Sequence, residues 1–314
     1  MAAPFPALLA APQRPSDAIS VDVDVVNVLA TVRDKRGGLI SNLDKNDFQV
    51  FEDGKQQDIK YFTRETDVPL TLGLLVDVSP SQVNLINAEQ SAANEFFAQV
   101  IRPKDLAFLI SFGEDAELLR DLTSSPEQLE RGLNGLRVSG GVSGVGPGPV
   151  PTMSQPRGTV LYDAVYLAAN EKLRSEVGRK AIVIISDGVD QGSKLSIDQA
   201  IESAQKADAV IYGIEYYDPG FYQRQGMFAG GASQLGKLAD QTGGHVFRVD
   251  RKHPLDDVFK ELQEELRSQY SIGFTPSNVA KDGSYRKLDI KTTRKDLKVQ
   301  ARKGYFAVKP GSRN

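Results

Sequence analysis

The sequence contains no cysteine and only two histidines, His245 and His253. These scarcities exclude disulfide frameworks, thiolate nucleophiles, zinc fingers and iron–sulfur ligation. A Ser-His-Asp site would have to use one of the two histidines. Any metal site must rest mainly on hard oxygen ligands, which favours Mg²⁺, Mn²⁺ or Ca²⁺ over Zn²⁺ or Cu. An excess of one charge sign is also missing: 38 Lys+Arg against 41 Asp+Glu leave a net charge of -3. Bulk electrostatics therefore gives no drive toward nucleic acid or an anionic membrane. No run approaches about 18 apolar residues, so no transmembrane helix is expected. The first residues, 1–18, carry prolines and lack a basic n-region, so as written they do not read as a competent signal peptide. A trimmed remnant of one stays open, and the absence of Cys fits either side of a membrane.

What is present is an ordinary globular composition, 40% apolar and 25% charged over 314 residues. That length suffices for one large domain and a smaller one. Residues 19–62 alternate with period two, as do 270–275, 285–292, 297–302 and 305–308, and all read as strands. Asp53-Gly54 supplies the positive φ of a tight hairpin joining 48–51 to 59–62, and Asp282-Gly283 marks another turn. Neither end has enough strands to enclose a core alone, so the two are expected to share about seven strands in one discontinuous β-sandwich. Two separate β caps are the alternative.

From Pro69 the pattern changes. Residues 70–76 form a nearly continuous apolar run, the signature of a strand buried on both faces. Helices are expected over 83–101, 126–136, 159–177, 197–207, 234–241 and 255–268. Strands are expected over 106–112, 116–122, 181–186, 209–216 and 245–249. This order implies an open, doubly wound, mostly parallel α/β sheet inserted into the sandwich, with ligands beyond the carboxyl ends of its strands.

Those ends carry oxygen. The first buried strand runs into Asp77-Val78-Ser79-Pro80-Ser81, the strand over 181–186 ends in Asp187-Gly188, and Gly158-Thr159 opens a helix. Two carboxylates and three hydroxyls suit an octahedral Mg²⁺ that retains water and an open position. Asp-x-Ser-x-Ser, the separated Gly-Thr and Ile-Ile-Ser-Asp-Gly together resemble the metal-ion-dependent adhesion site of von Willebrand factor type A (VWA) domains, which are Rossmann-like, over roughly 68–266. The flanking Phe-Gln-Val-Phe-Glu-Asp-Gly and Lys-Gly-Tyr-Phe segments are similar to bacterial members with β flanks. The resemblance implies that Ser79 and Ser81 bind the ion directly. Asp77, Asp187 and Thr159 would bind directly or through water, and a partner protein would add a carboxylate. It also implies an exported setting: periplasmic, cell-surface or secreted. A metal-free fold with helix-capping serines is the bland alternative.

The resulting plan is a flexible tail over 1–16, an Ig-like sandwich over 17–66 plus 269–309, a VWA domain over 68–266 and a tail over 310–314. Pro80 is expected to stiffen the ligand loop. Residues 138–158, with six Gly and four Pro, read either as disorder or as a lid over the metal. The loop 218–232 presents Phe221, Tyr222, Arg224, Met227 and Phe228, the composition of an interface hot spot or of local packing. Nine Lys/Arg within 281–303 read as the wet face of edge strands, and His245 as structural. Leu255, Phe259, Leu262 and Leu266 form a core stripe. The expected function is a non-enzymatic, metal-dependent protein-binding module. Metal-assisted hydrolysis at the same ion and a scaffold with a vacant site are the alternatives. Against hydrolysis, no Lys or His within these motifs could act as general base.

Overall fold

Two periodicities divide the chain, as their burial makes plain. The computed structural model describes residues 25–64, 68–139, 158–225 and 232–308. The expected tails, strand residues 19–24, most of the 138–158 loop, and Met227 and Phe228 lie outside them. The first period-two segment gives β1 (Val26–Asp34), β2 (Phe48–Glu52), β3 (Lys55–Gln57) and β4 (Ile59–Arg64). The central segment gives β5 (Leu70–Asp77), α1 (Ile86–Val100), β6 (Leu106–Phe112), β7 (Ala116–Thr123), α2 (Pro126–Leu133) and α3 (Leu161–Tyr166), the last prolonged by a π-helical stretch, Leu167–Leu173. It continues with β8 (Arg179–Ser186), α4 (Ile197–Lys206), β9 (Ala209–Glu215), α5 (Pro219–Gln225), α6 (Ala232–Thr242), β10 (Val246–Arg248) and α7 (Leu255–Arg267). The second period-two segment gives β11 (Tyr270–Phe274), β12 (Tyr285–Thr292), β13 (Leu297–Ala301) and β14 (Gly304–Phe306).

The central sheet has the order β10-β9-β8-β5-β6-β7, parallel except for the antiparallel edge strand β7. Every residue of β5, β8 and β9 is buried, because helices cover both faces. On one face Leu72, Leu74 and Val76 pack with α1, α2 and α7, where Phe96 stacks on Phe259 at 4.5 Å. On the other, Leu75, Ile182 and Ile184 meet α3, α4 and α6. Gly73 is required here, since a Cβ at that position would stand 2.4 Å from the Phe108 ring.

Both chain ends build one sandwich of two four-stranded sheets, β13-β1-β11-β4 and β14-β12-β2-β3. Each sheet mixes strands from the two ends, so the alternative of separate caps is ruled out, and eight strands replace the expected seven. β12 alternates outward and inward along its length, burying Leu288 and Ile290 while Lys287, Asp289 and Lys291 face water. Arg286 departs from the expected wet face: it is buried against the equally buried Glu52 at 3.5 Å. The Asp53-Gly54 turn, with φ of 48° and 82°, joins β2 to the short β3 instead of to β4. After β3 the chain changes sheets, and β4 pairs with β11. The loop expected over 218–232 contains α5, because Asp218 caps it: its Oδ1 accepts from Gly220 N at 2.8 Å.

The α/β unit hangs from one β pair. Arg64, at the end of β4, lies opposite Tyr270, at the start of β11, so entry and exit of the insertion are side by side. Arg179 ties the two together from the first residue of β8: its guanidinium donates to the Val68 carbonyl at 3.1 and 3.2 Å and to the Leu266 carbonyl. A second tie, Arg33 to the fully buried Glu265 at 2.5 Å, joins β1 to α7, and His245 Nδ1 stands 3.1 Å from the same carboxylate. His245 thus sits in this seam beside Glu265. Arg179→Met should lower unfolding stability by roughly 2–4 kcal/mol, since it leaves buried carbonyls unpaired. Urea denaturation checks this; an unchanged midpoint would show that the seam does not depend on this side chain.

Candidate functional site

The site forms where β5 and β8, neighbours in the sheet, end side by side. Asp77 is the last residue of β5, and Asp187 follows Ser186, the last residue of β8. The chain must turn sharply after each. Past β5, Asp77 Oδ1 accepts the Ser79 amide at 2.8 Å, an Asx-type turn. Ser79 is extended, with φ -64° and ψ 162°, the conformation that a following proline imposes. Pro80 then opens a 3₁₀ turn, Pro80–Gln82, that brings Ser81 back over the strand end. Past β8, Gly188 takes φ +80°, and its amide donates to Ser186 Oγ at 2.9 Å.

These turns gather four of the five expected oxygen donors into one hydrogen-bonded chain. Ser79 Oγ lies 3.0 Å from Ser81 Oγ, and Ser81 Oγ donates to Asp187 Oδ2 at 2.7 Å. Asp187 Oδ1 accepts from Val189 N at 3.0 Å. Thr159 stands at the mouth of α3, held by its backbone: its carbonyl accepts from the Gln191 and Gly192 amides, both at 3.1 Å. Among the described residues no hydrogen bond links its hydroxyl to the other four.

Three further residues complete the cluster, and the sequence reading assigned none of them to the ion. Ser186 Oγ donates to Asp77 Oδ2 at 2.5 Å. Glu89, from α1, is fully buried, and neither carboxylate oxygen has a hydrogen-bond partner. Burial, then the charges of Asp77 and Asp187, push its carboxyl well above the usual range. A signal for it was available, since Glu89 lies three, four and seven residues before Ala92, Ala93 and Phe96, on the buried face of α1. The third is Tyr222, whose sequence context suits either a partner contact or local packing. It is buried, because α5 folds its hydroxyl onto Asp187 Oδ2, to which it donates. Phe221 packs edge-on against it at 5.7 Å, while Arg224 is exposed and 3.6 Å from Asp218. α5 is moored beside the site by Asn84, which donates to Asp218 at 2.7 Å.

The electrostatics are one-sided. Asp77 is fully buried and Asp187 nearly so, and among the described residues neither forms an ion pair. Burial, reinforced by the Asp187 charge, pushes the Asp77 carboxyl from 3.8 up to about 7 despite the hydrogen bonds from Ser186 and Ser79. Two buried carboxylates spanned by serine hydroxyls form a hard-oxygen set that fits a divalent cation. Among the described residues no group of three or more His, Cys, Asp or Glu is placed to hold a metal, so any ligation here depends on the hydroxyls.

Against this geometry stand the comparisons with known proteins. Residues 72–189 match the von Willebrand factor type A domain. A protein of Borreliella burgdorferi described as uncharacterized is 23% identical over 229 residues, 67% of this chain and 63% of that one, so the match spans less than two thirds of the relative. Among solved structures, an aerotolerance-related membrane protein of Bacteroides fragilis aligns with a TM-score of 0.46 and 17% identity over 63% of this chain and 98% of that one. Proximal thread matrix protein 1 from the mussel byssus, with a zinc-occupied MIDAS motif, aligns with a TM-score of 0.49 and 14% identity over 67% of this chain and 48% of that one.

A carboxyl whose folded pKa lies above its unfolded value adds stability at low pH, and that contribution is lost as pH rises through the folded value. In EDTA the wild type should therefore lose thermal stability between about pH 4 and pH 7 more steeply than Asp77→Asn, which cannot ionise there. Melting curves across that range check it; parallel profiles would contradict the buried, proton-holding Asp77.

Proposed function

We propose that this protein is a non-enzymatic binding module in which Asp77, Ser79, Ser81, Thr159 and Asp187 hold a divalent cation, Mg²⁺ or Mn²⁺, that takes an acidic side chain of a partner protein. The observation that carries the reading is the pair of buried carboxylates, Asp77 and Asp187, joined through Ser81 and Ser79 with no cationic side chain paired to either. A buried carboxylate pair is costly unless a positive charge meets it. The match of residues 72–189 to the VWA domain supports the same reading, since that family generally mediates protein interaction. Two carboxylates balance a divalent ion and leave its Lewis acidity for an incoming carboxylate. The extracytoplasmic setting implied by the resemblance to β-flanked bacterial members belongs to the proposal as well.

A hydrolytic role that uses a lysine or histidine base finds none at the site among the described residues. No Lys, Arg or His hydrogen-bonds to Asp77, Ser79, Ser81 or Asp187 among the described residues, and both histidines pair with other acids, Glu265 and Asp250. Turnover of a phosphoester or peptide panel with Mn²⁺, abolished by Asp187→Ala, would overturn the binding role.

Titration calorimetry with Mg²⁺ and Mn²⁺, with Ca²⁺ and Zn²⁺ as further arms, should give saturable heat for the wild type and none for a folded Asp77→Ala. Equal heat in both would remove this site from consideration. EDTA and Asp77→Ala should each release any partner captured from the source cell.

Tyr222 supplies a second handle. Its hydroxyl already occupies one lone pair of Asp187 Oδ2, so a cation drawing on that oxygen must compete with it. Tyr222→Phe should tighten Mg²⁺ binding by up to about tenfold, or about 1.4 kcal/mol. A weakened affinity would instead mean that the hydroxyl helps to hold the ion.

A further inference from the structure

The carboxyl edge of the sheet is not the only place where the fold leaves charge unmatched. At the opposite edge, where β8 and β9 begin, a cavity of about 390 Å³ opens at the seam between the α/β unit and the sandwich. That volume falls within the range of small-molecule sites, and seams between folded units are common places for them. Its walls come from both units: Lys180, Ala209 and Val210 from the sheet, Asn27 and Leu29 from β1, and Arg302 just beyond β13.

Two cations besides Arg179 line this space, and one of them, Lys180, has bonding capacity to spare. Lys180 is 8% exposed, and among the described residues no hydrogen bond or ion pair reaches its ammonium. Lysines buried to this degree are normally paired, and the ammonium of this one is not sealed off, so an anion could reach it through the cavity. Burial pulls it below the ordinary lysine range, with the charges of Asp208 and Glu176 acting the other way. Arg302 donates to Asp208 at 2.5 Å and to the Asn27 carbonyl at 2.6 Å, yet its Nε is buried without a partner. Arg302 engages one oxygen of Asp208, and Glu176 also lines the cavity, so two acids stand near Lys180, yet neither comes within ion-pair distance of its ammonium. The third cation, Arg179, is spent on the Val68 and Leu266 carbonyls. Beside these groups the wall turns apolar, through Leu29, Val68 and Val210.

We propose that this seam cavity binds a small amphipathic carboxylate, its acid group meeting the Lys180 ammonium and its apolar body lying against Leu29, Val68 and Val210. Such a ligand would touch both units at once and so brace the seam that Arg179 and the Arg33–Glu265 pair already hold. The proposal is independent of the metal reading, because the cavity lies at the opposite end of β8 from Asp187.

The test uses hexanoate as probe, with acetate, inorganic phosphate and hexylamine as comparisons, on the full chain by titration calorimetry or saturation-transfer NMR. Wild type should bind hexanoate saturably below about 10 mM and at least about tenfold tighter than acetate, phosphate or hexylamine. Lys180→Met, which keeps the aliphatic stem, should lose that binding by about tenfold or more, while Lys180→Arg should retain most of it. Asp77→Ala should bind hexanoate like the wild type, which separates this site from the metal site. Should Lys180→Met fail to fold by circular dichroism, Lys180→Arg and the acetate comparison still decide. Absence of hexanoate binding to the wild type, equal binding by a folded Lys180→Met, loss of binding in a folded Lys180→Arg, or hexanoate binding no tighter than acetate or phosphate would each overturn the proposal.

Discussion

Two carboxylates, Asp77 and Asp187, are taken out of water at the ends of adjacent parallel strands, and much of the local structure follows from accommodating them. A carboxylate buried in protein must be hydrogen-bonded, neutralised by a proton or matched by a cation. The fold uses the first two. Ser186 and the Ser79 amide bond Asp77, while Ser81, the Val189 amide and Tyr222 bond Asp187. The sharp turn at Ser79-Pro80, the left-handed Gly188 and the placement of α5 each exist at a point where one of these donors has to be delivered. Glu89, with no donor at all, is left to hold its proton.

The same economy of position explains how a large α/β unit can interrupt a sandwich without breaking it. Strand pairing across the insertion is local in space, Arg64 opposite Tyr270, although it is remote in sequence. Loop-closure cost grows only slowly with the length of what lies between, so an inserted unit whose own ends are adjacent adds little strain. Arg179 makes that adjacency specific by bonding carbonyls from both connections. Tyr270 reinforces the point from the sandwich side: its hydroxyl accepts from Leu43 N at 3.0 Å and donates to the Ile40 carbonyl at 2.8 Å, while its ring lies 5.1 Å from Phe48.

Most of the architecture could be read from residue patterns because both periodicities are strong. The unbroken run over 70–76 has no exposed face to signal, and β5 has none. What patterns missed is what tertiary contacts decide. The Asp53-Gly54 turn is legible in the sequence, but its partner strand is not, because β3 is three residues long and the change of sheet after it leaves no compositional mark. Asp77, Ser79, Ser81 and Asp187 stood out through their spacing at strand ends. Ser186 lies within that motif, but nothing local says which serine faces which carboxylate. Glu89 reads locally as an ordinary helix acid, and only its phase against Phe96 separates it from a solvated one. Tyr222 reads from sequence as an interface residue or as local packing, because an aromatic with a polar tip in a loop is as fit to close a site from within as to meet a partner from without.

Strand β8 carries opposite electrostatic problems at its two ends, an unpaired ammonium at Lys180 and a crowded carboxylate just past Ser186. Seven residues separate Lys180 from Asp187, about 23 Å at about 3.3 Å per residue in a parallel strand. At that span two unit charges interact by less than about 1 kcal/mol at an effective dielectric of about 20, and the interior between is apolar side chains on a hydrogen-bonded ladder, with no chain of polar groups to relay charge. Each end must therefore resolve its charge with what lies near it: at the carboxyl end, serine and tyrosine hydroxyls and a protonated Glu89; at the amino end, a cavity shared with the sandwich. The parallel sheet produces this arrangement because its helices seal the faces and leave only the two edges of the strands open. Polar side chains that cannot lie on a buried strand collect at those edges, and there the fold leaves room for ligands.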